Sequence, residues 1–225
     1  MKKTHKKQLL LSISIILAVL VIDQIIKILV KTNMHIGESI PVLGSWFQIL
    51  FIENEGMAFG MHFGGSVGKI LLSVFRLVAS AGIAWFIIYL IKKNSRNFLI
   101  VSLSLIFAGA VGNIIDSCFY GLIFGDSTYQ VATLFPEEGG YAPFLFGKVV
   151  DMFYFPIIST TLPDWVPFFG GEHFTFFNAI FNFADAAITI GIFMLIIDQL
   201  FSSKDNKKSK EQNENKAAEE QKQTI

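Results

Sequence analysis

The chain contains one cysteine, Cys118, which excludes an intrachain disulfide and a cysteine metal cluster. Histidine is nearly as scarce. His5, His35, His62 and His173 have no ligand spacing with one another or with an acid pair, and no base lies beside Cys118. Neither a metal centre nor a serine or cysteine triad is supported by that inventory. Charge is sparse too: 16% of the 225 residues are Asp, Glu, Lys or Arg, and the formal net charge is zero. What fills the chain instead is apolar. Hydrophobic residues make up 52%, Phe occurs 24 times, and the mean hydropathy is +0.54. That composition excludes an ordinary soluble domain and points to a polytopic membrane protein.

Hydropathy gives four spans, at about 9–30, 70–91, 98–115 and 177–201. Each approaches the roughly 20 residues needed to cross about 30 Å of hydrocarbon at about 1.5 Å per residue. The first follows Lys2, Lys3, Lys6 and Lys7 and so starts like a signal peptide. Its apolar core is too long, it carries Asp23 and Lys27, and no small-x-small cleavage site follows, so it reads as a retained helix. The net charge conceals a strong segregation. Lys92, Lys93 and Arg96 lie between spans two and three, and six lysines lie in 202–225. The loop 33–68 has no Lys or Arg, and the loop 117–175 has only Lys148. The positive-inside rule therefore puts both termini in the cytoplasm and both long loops outside. The tail 202–225, rich in Lys, Glu, Gln and Asn, is expected to be a disordered solubilising segment.

The outer loops carry structure of their own. Residues 47–54 alternate, with Phe47, Ile49, Phe51 and Glu53 on one strand face and Gln48, Leu50, Ile52 and Asn54 on the other. The Glu55-Gly56 turn signal then predicts a second short strand, hence a small extracytoplasmic β-sheet. The segment 155–171, FPIISTTLPDWVPFFGG, has the aromatic content of an interfacial surface.

Polar residues converge on the outer half of the spans. Asp185 lies inside the apolar run 177–201, where an ionised carboxylate at the helix centre costs about 2.5–3.5 kcal/mol. Asn178 and Asn182 precede it at helical spacing, which predicts one shared face. Asn113 and Asp116 share a face of the third span beside a Gly109–Gly112 seam that lets another helix approach. Asp151 follows a β-branched pair in the long loop, and Asp23 and Lys27 stand at i, i+4 in the first span. Two neighbouring aspartates cannot both ionise cheaply, so such a pair holds one proton and acts as base and acid in turn on a water. No metal or cofactor is required. Residue types alone leave other roles open. Asp23 and Lys27 serve equally as a helix-stabilising pair, and Asp23, Asp116 and Asp185 could form the relay of a small ion-coupled transporter. No internal repeat of the transporter kind is present. A non-catalytic assembly factor, its polar groups only holding helices together, is the third class.

Five segments then occur in a telling order: VIDQIIKILV at 21–30, NEGMAFG at 54–60, GAVGNIID at 109–116, KVVDMFYF at 148–155 and FNFADAAITIG at 181–191. Each is weak alone, but as an ordered set on four spans they closely resemble the bacterial lipoprotein signal peptidases, or signal peptidase II. The resemblance runs from the first span to the fourth. It implies a mainly α membrane aspartyl endopeptidase of the inner membrane, occupying 1–201, that cuts prolipoproteins before a diacylglyceryl-modified cysteine and is inhibited by globomycin. Matched motif to motif, it makes Asp151 and Asp185 the catalytic dyad. Asn113 and Asn182 would orient the dyad or the substrate backbone. Asp23, Lys27, Asn54, Gly56, Asn178 and Asp116 would support the site. Two departures stand out. Ser117 occupies a position where the family usually has Arg, and Lys148 is the expected substitute cation. Insertions at about 126–146 and 156–174 separate Asp151 from Asp185 by 34 positions and are expected to form a lid or an interfacial shelf.

Overall fold

The structure is a computed structural model that describes residues 3–55, 65–165 and 167–201. Helices α1 (Lys3–Asn33), α2 (Gly65–Lys92) and α3 (Asn97–Ile115), with a fourth helix (Phe183–Phe201), are long and apolar enough to cross a membrane. None contains proline. All six prolines lie in the outer loops, where a missing N–H and a fixed φ do no harm. The α2–α3 connection is a tight turn closed by Asn94 at φ 54°, with Ser95 N–H returning to the Leu90 carbonyl at 3.0 Å. That left-handed closure is a standard helix stop. From α1, Gln8 donates to the Ser95 carbonyl at 2.7 Å and pins the same turn.

Helix α3 does not end at Ile115. It runs on through one π-turn, Asp116–Tyr120, and a last turn to Ile123. A π-turn inserts an extra residue and re-aims the side chains that follow, a device common at functional sites. The fourth helix also departs from expectation: it starts at Phe183, six residues later than hydropathy predicts. Asn182 explains the start. Its Oδ1 accepts the Asp185 N–H at 2.9 Å, and an Asp185 carboxylate oxygen accepts the Asn182 N–H at 3.4 Å. That reciprocal arrangement is a capping box. Asn178, Asn182 and Asp185 therefore do not share a helix face. Asn178 lies outside the helix and accepts from the Tyr154 hydroxyl at 3.1 Å.

Above the helices lies an antiparallel sheet ordered β1 (Ser39–Leu43), β2 (Phe47–Asn54), β3 (Val149–Tyr154), β6 (Ile180–Phe181). The strand predicted beyond Glu55 falls in 56–64, outside the described residues; β2 pairs with β1 on one side and β3 on the other. Phe51, Val150 and Met152 from the sheet bury against Val30 of α1, Met34 just beyond its end, and Tyr120 and Phe124 where the extended α3 ends. This cluster holds the sheet over the end of the bundle where α1 stops and α3 runs on. The insertion 126–146 folds back on the last turn of α3, with Tyr141 N–H bonded to the Phe124 carbonyl and Ala142 N–H to the Gly121 carbonyl. The second insertion is a hairpin of β4 (Ile158–Thr161) and β5 (His173–Phe176), with Trp165 and Phe168 nearly fully exposed near its turn.

Candidate active site

Strand β3 brings Asp151 to the start of the fourth helix. Phe153 pairs with Phe181, which sets Asn182 beside Asp151. Asn182 Nδ2 donates to Asp151 Oδ1 at 2.7 Å and to Asn113 Oδ1 at 3.1 Å. Asn113 Nδ2 donates to Asp185 Oδ1 at 2.8 Å. The two amides thus link the two carboxylates in one chain, Asp151–Asn182–Asn113–Asp185. Asn54, at the end of β2, donates to Asp151 Oδ2 at 3.3 Å. Asp151 is buried, and desolvation pushes its carboxyl up to about 7, with the nearby Asp185 charge adding to the rise.

Behind this chain is a second, fully buried layer. Lys27 Nζ lies 2.9 Å from Asp23, 2.7 Å from Asp116 and 2.9 Å from Asn113 Oδ1. The ammonium therefore joins α1 to α3 and holds the carbonyl end of Asn113, which turns the amide's donor end toward Asp185. Asp23 Oδ1 accepts the Ala184 N–H at 2.9 Å. It satisfies an otherwise orphaned donor of the fourth helix and places negative charge at the positive end of its dipole. Asp116 Oδ1 accepts from Gln24 at 2.9 Å, and its other oxygen accepts the Val150 N–H of β3 at 3.4 Å. Gln24 in turn accepts from the Tyr120 hydroxyl at 3.1 Å. Close approach makes this possible. A Cβ at Gly112 would stand 2.8 Å from Asp23 Oδ2, and one at Gly109 would meet the Ala184 carbonyl and lie 2.6 Å from Ile188 Cγ1.

Of the residues singled out in the sequence, Asp23, Lys27, Asn54, Asn113, Asp116, Asp151, Asn182 and Asp185 are thus bonded into one network. Asn178 bonds to Tyr154 on the exposed side, and Gly56 lies outside the described residues. Lys148 is engaged elsewhere. Its ammonium is 3.2 Å from Glu53 and lies over the Tyr141 ring. Glu53 also pairs with buried Lys31, and Ser127 bridges the two, so this ion cluster ties α1, β2 and the first insertion together. Gln24 and Tyr120 are contributors the sequence reading passed over, and Arg76 was not singled out either. Gln24 adjoins Asp23, and Arg76 sits at i+3 from Ser73 and i−4 from Ser80 in a polar stripe of α2. Among the described residues no group of three or more His, Cys, Asp or Glu side chains is placed to hold a metal ion.

One buried aspartate, Asp151, and one half-buried aspartate, Asp185, are thus joined through two amides. The profile of the family described as signal peptidase (SPase) II matches residues 15–201. The chain belongs to the signal peptidase II family. It is 50% identical over 185 residues to the lipoprotein signal peptidase of Porphyromonas gingivalis, covering 82% of this chain and 80% of that one. The lipoprotein signal peptidase of Amoebophilus asiaticus is 39% identical over 188 residues, covering 82% and 75%. A solved bacterial membrane enzyme, determined by the in meso method at 2.3 Å, superposes with a TM-score of 0.55 at 28% identity, covering 85% of this chain and 88% of that one. A second, at 1.9 Å, gives 0.53 at 29% identity, covering 84% and 92%. This signal peptidase II is accordingly a multi-pass bacterial membrane aspartyl peptidase that processes prolipoproteins, and the transporter and scaffold classes fall away.

Proposed function

We propose that residues 1–201 form the peptidase unit, that Asp151 and Asp185 are its catalytic dyad, and that its substrate is a prolipoprotein already carrying diacylglyceryl on the cysteine after the scissile bond. The amide chain from Asp151 through Asn182 and Asn113 to Asp185 is the observation that carries this reading. With the shared proton on Asp151, Asp185 takes a proton from water, and the water oxygen adds to the carbonyl carbon before the cysteine. Asp151 donates to the carbonyl oxygen, giving a neutral tetrahedral diol. On collapse the C–N bond breaks, Asp185 returns its proton to the leaving amine, and a diol hydroxyl returns one to Asp151. Asn113 and Asn182 hold the carboxylates in place through both steps, and the apolar surroundings strengthen their hydrogen bonds.

The distribution of basic residues supports an orientation with both termini in the cytoplasm and the dyad on the outer side. The lipid chains of the substrate would lie in the outer leaflet, beside the aromatic surface of Phe47, Phe155 and Phe181. Diacylglyceryl burial supplies binding energy far from the reacting bond, at about 0.8 kcal/mol per buried CH₂. Purified enzyme should cleave a diacylglyceryl-modified prolipoprotein at least about a hundredfold faster than the unmodified one, by kcat/KM. Globomycin should block that cleavage. Equal cleavage of the two substrates would refute the lipid requirement.

A further inference from the structure

Arg76 is a cation inside a membrane helix, where a charge is expensive and is found facing the bundle interior or a partner. The burial phase of α2 sets its direction. Ser73 and Ser80 are buried, Ile83 is half-buried and Ile87 is buried, and half-buried Arg76 falls on that same inward stripe. The tight turn sets its depth. Arg76 is sixteen residues from Lys92 at the end of α2, and Asn113 is sixteen residues from Asn97 at the start of α3. In two packed antiparallel helices, equal distance from the turn means equal depth, about 24 Å along each axis. Arg76 therefore lies level with the amide that bonds Asp185. Electrostatics agree with the geometry: the acid bearing most strongly on Arg76 is Asp185, followed by Asp151 and then Asp116. The other cation of the site, Lys27, is already held between Asp23 and Asp116. Ser117 contributes no charge, and its hydroxyl donates to the Asn113 carbonyl at 3.0 Å.

We infer that Arg76 is the positioning residue that fixes the asymmetry of the dyad, its positive charge favouring the carboxylate on Asp185 so that the shared proton rests on Asp151. The inference deepens the dyad reading and rests on it. In the absence of that charge the preference for Asp151 rests on its deeper burial alone, and fewer enzyme molecules hold base and acid in the productive order. The turnover step should suffer, whereas binding of the lipidated substrate should not.

The test compares Arg76→Gln and Arg76→Lys with wild type on a diacylglyceryl-modified prolipoprotein, with Asp151→Asn and Asp185→Asn run alongside. Arg76→Gln should lower kcat by at least about tenfold and leave KM within about twofold. Arg76→Lys keeps the charge and should hold kcat within about threefold of wild type. A Gln variant with near-normal kcat, or one changed in KM alone, would overturn the inference. So would a folded Lys variant whose kcat falls at least about tenfold below wild type, a result that can be read even if Arg76→Gln does not fold. The two Asp variants separate the layers: if both are inactive while Arg76→Gln is normal, the dyad stands and only the role of Arg76 fails.

Discussion

Asp151 and Asp185 carry the same functional group in different settings. Asp151 is buried within a strand and, among the described residues, accepts from the amides of Asn54 and Asn182; Asp185 is the third residue of a helix, inside its capping box. Burial pushes the Asp151 carboxyl up to about 7, so its acid form is populated below that pH and lost above it. If Asp151 delivers the proton, kcat/KM should fall as pH rises through about 7. It should fall again in acid, where the dyad takes up a second proton, giving a bell. A profile flat from acid to pH 8 would contradict this. Asp185 stood out in the sequence because a carboxylate inside a long apolar run is costly and needs a reason, whereas Asp151 stands in a loop and was singled out through its KVVDMFYF motif. Arg76 carried a fainter signal. Its neighbours Ser73 and Ser80 mark a polar stripe on α2, but serines satisfy themselves within a helix, as Ser73 does through the Lys69 carbonyl at 2.9 Å.

At the scale of elements, the site exists because four pieces meet at one point: the middle of α1, the end of α3, strand β3 and the start of the fourth helix. The Gly109–Gly112 seam was readable as a place of close approach, and the fourth helix fills it with Ala184. Because the obstacle at Gly109 is backbone, a methyl there cannot be accommodated by rotating a side chain. Gly109→Ala should destabilise the protein by about 1–3 kcal/mol and reduce cleavage in proportion to the loss of folded enzyme. Thermal unfolding in detergent measures the first, and an unchanged midpoint would show that the helices do not meet there. Hydropathy misplaced the start of the fourth helix because Phe177 and Ile180 are as apolar as the helix itself. The Asn182-x-x-Asp185 spacing held the correct start, since a capping box marks a helix N-terminus whatever the hydropathy before it. The π-turn at Asp116–Tyr120 leaves no such mark, because it follows from packing the end of α3 under the sheet.

At the scale of the whole molecule, four spans, a sheet and two insertions make one bundle whose Asp23–Lys27–Asp116 cluster and dyad gather at the end that carries the sheet. The spans were legible because the bilayer imposes length, and the basic residues argue for an orientation with both long loops outside. The pairing of β2 with β3 was not legible, because β3 begins 95 positions after the end of β2 and no local signal spans that distance. The insertions take two distinct forms. Residues 126–146 are anchored to α3 and to the Glu53–Lys31–Lys148 ion cluster, whereas 158–176 stands out as a hairpin with exposed Trp165 and Phe168. Such a hairpin suits a shelf resting in the outer leaflet, where a lipidated substrate would arrive laterally. All of this architecture serves one chemical claim, that Asp151 and Asp185 together activate water. The most direct test is cleavage of a diacylglyceryl-modified prolipoprotein by wild type, Asp151→Asn and Asp185→Asn, each verified as folded by its thermal midpoint. The account predicts cleavage by wild type and a loss of at least about a thousandfold in each variant. Near-normal cleavage by either folded variant would contradict it.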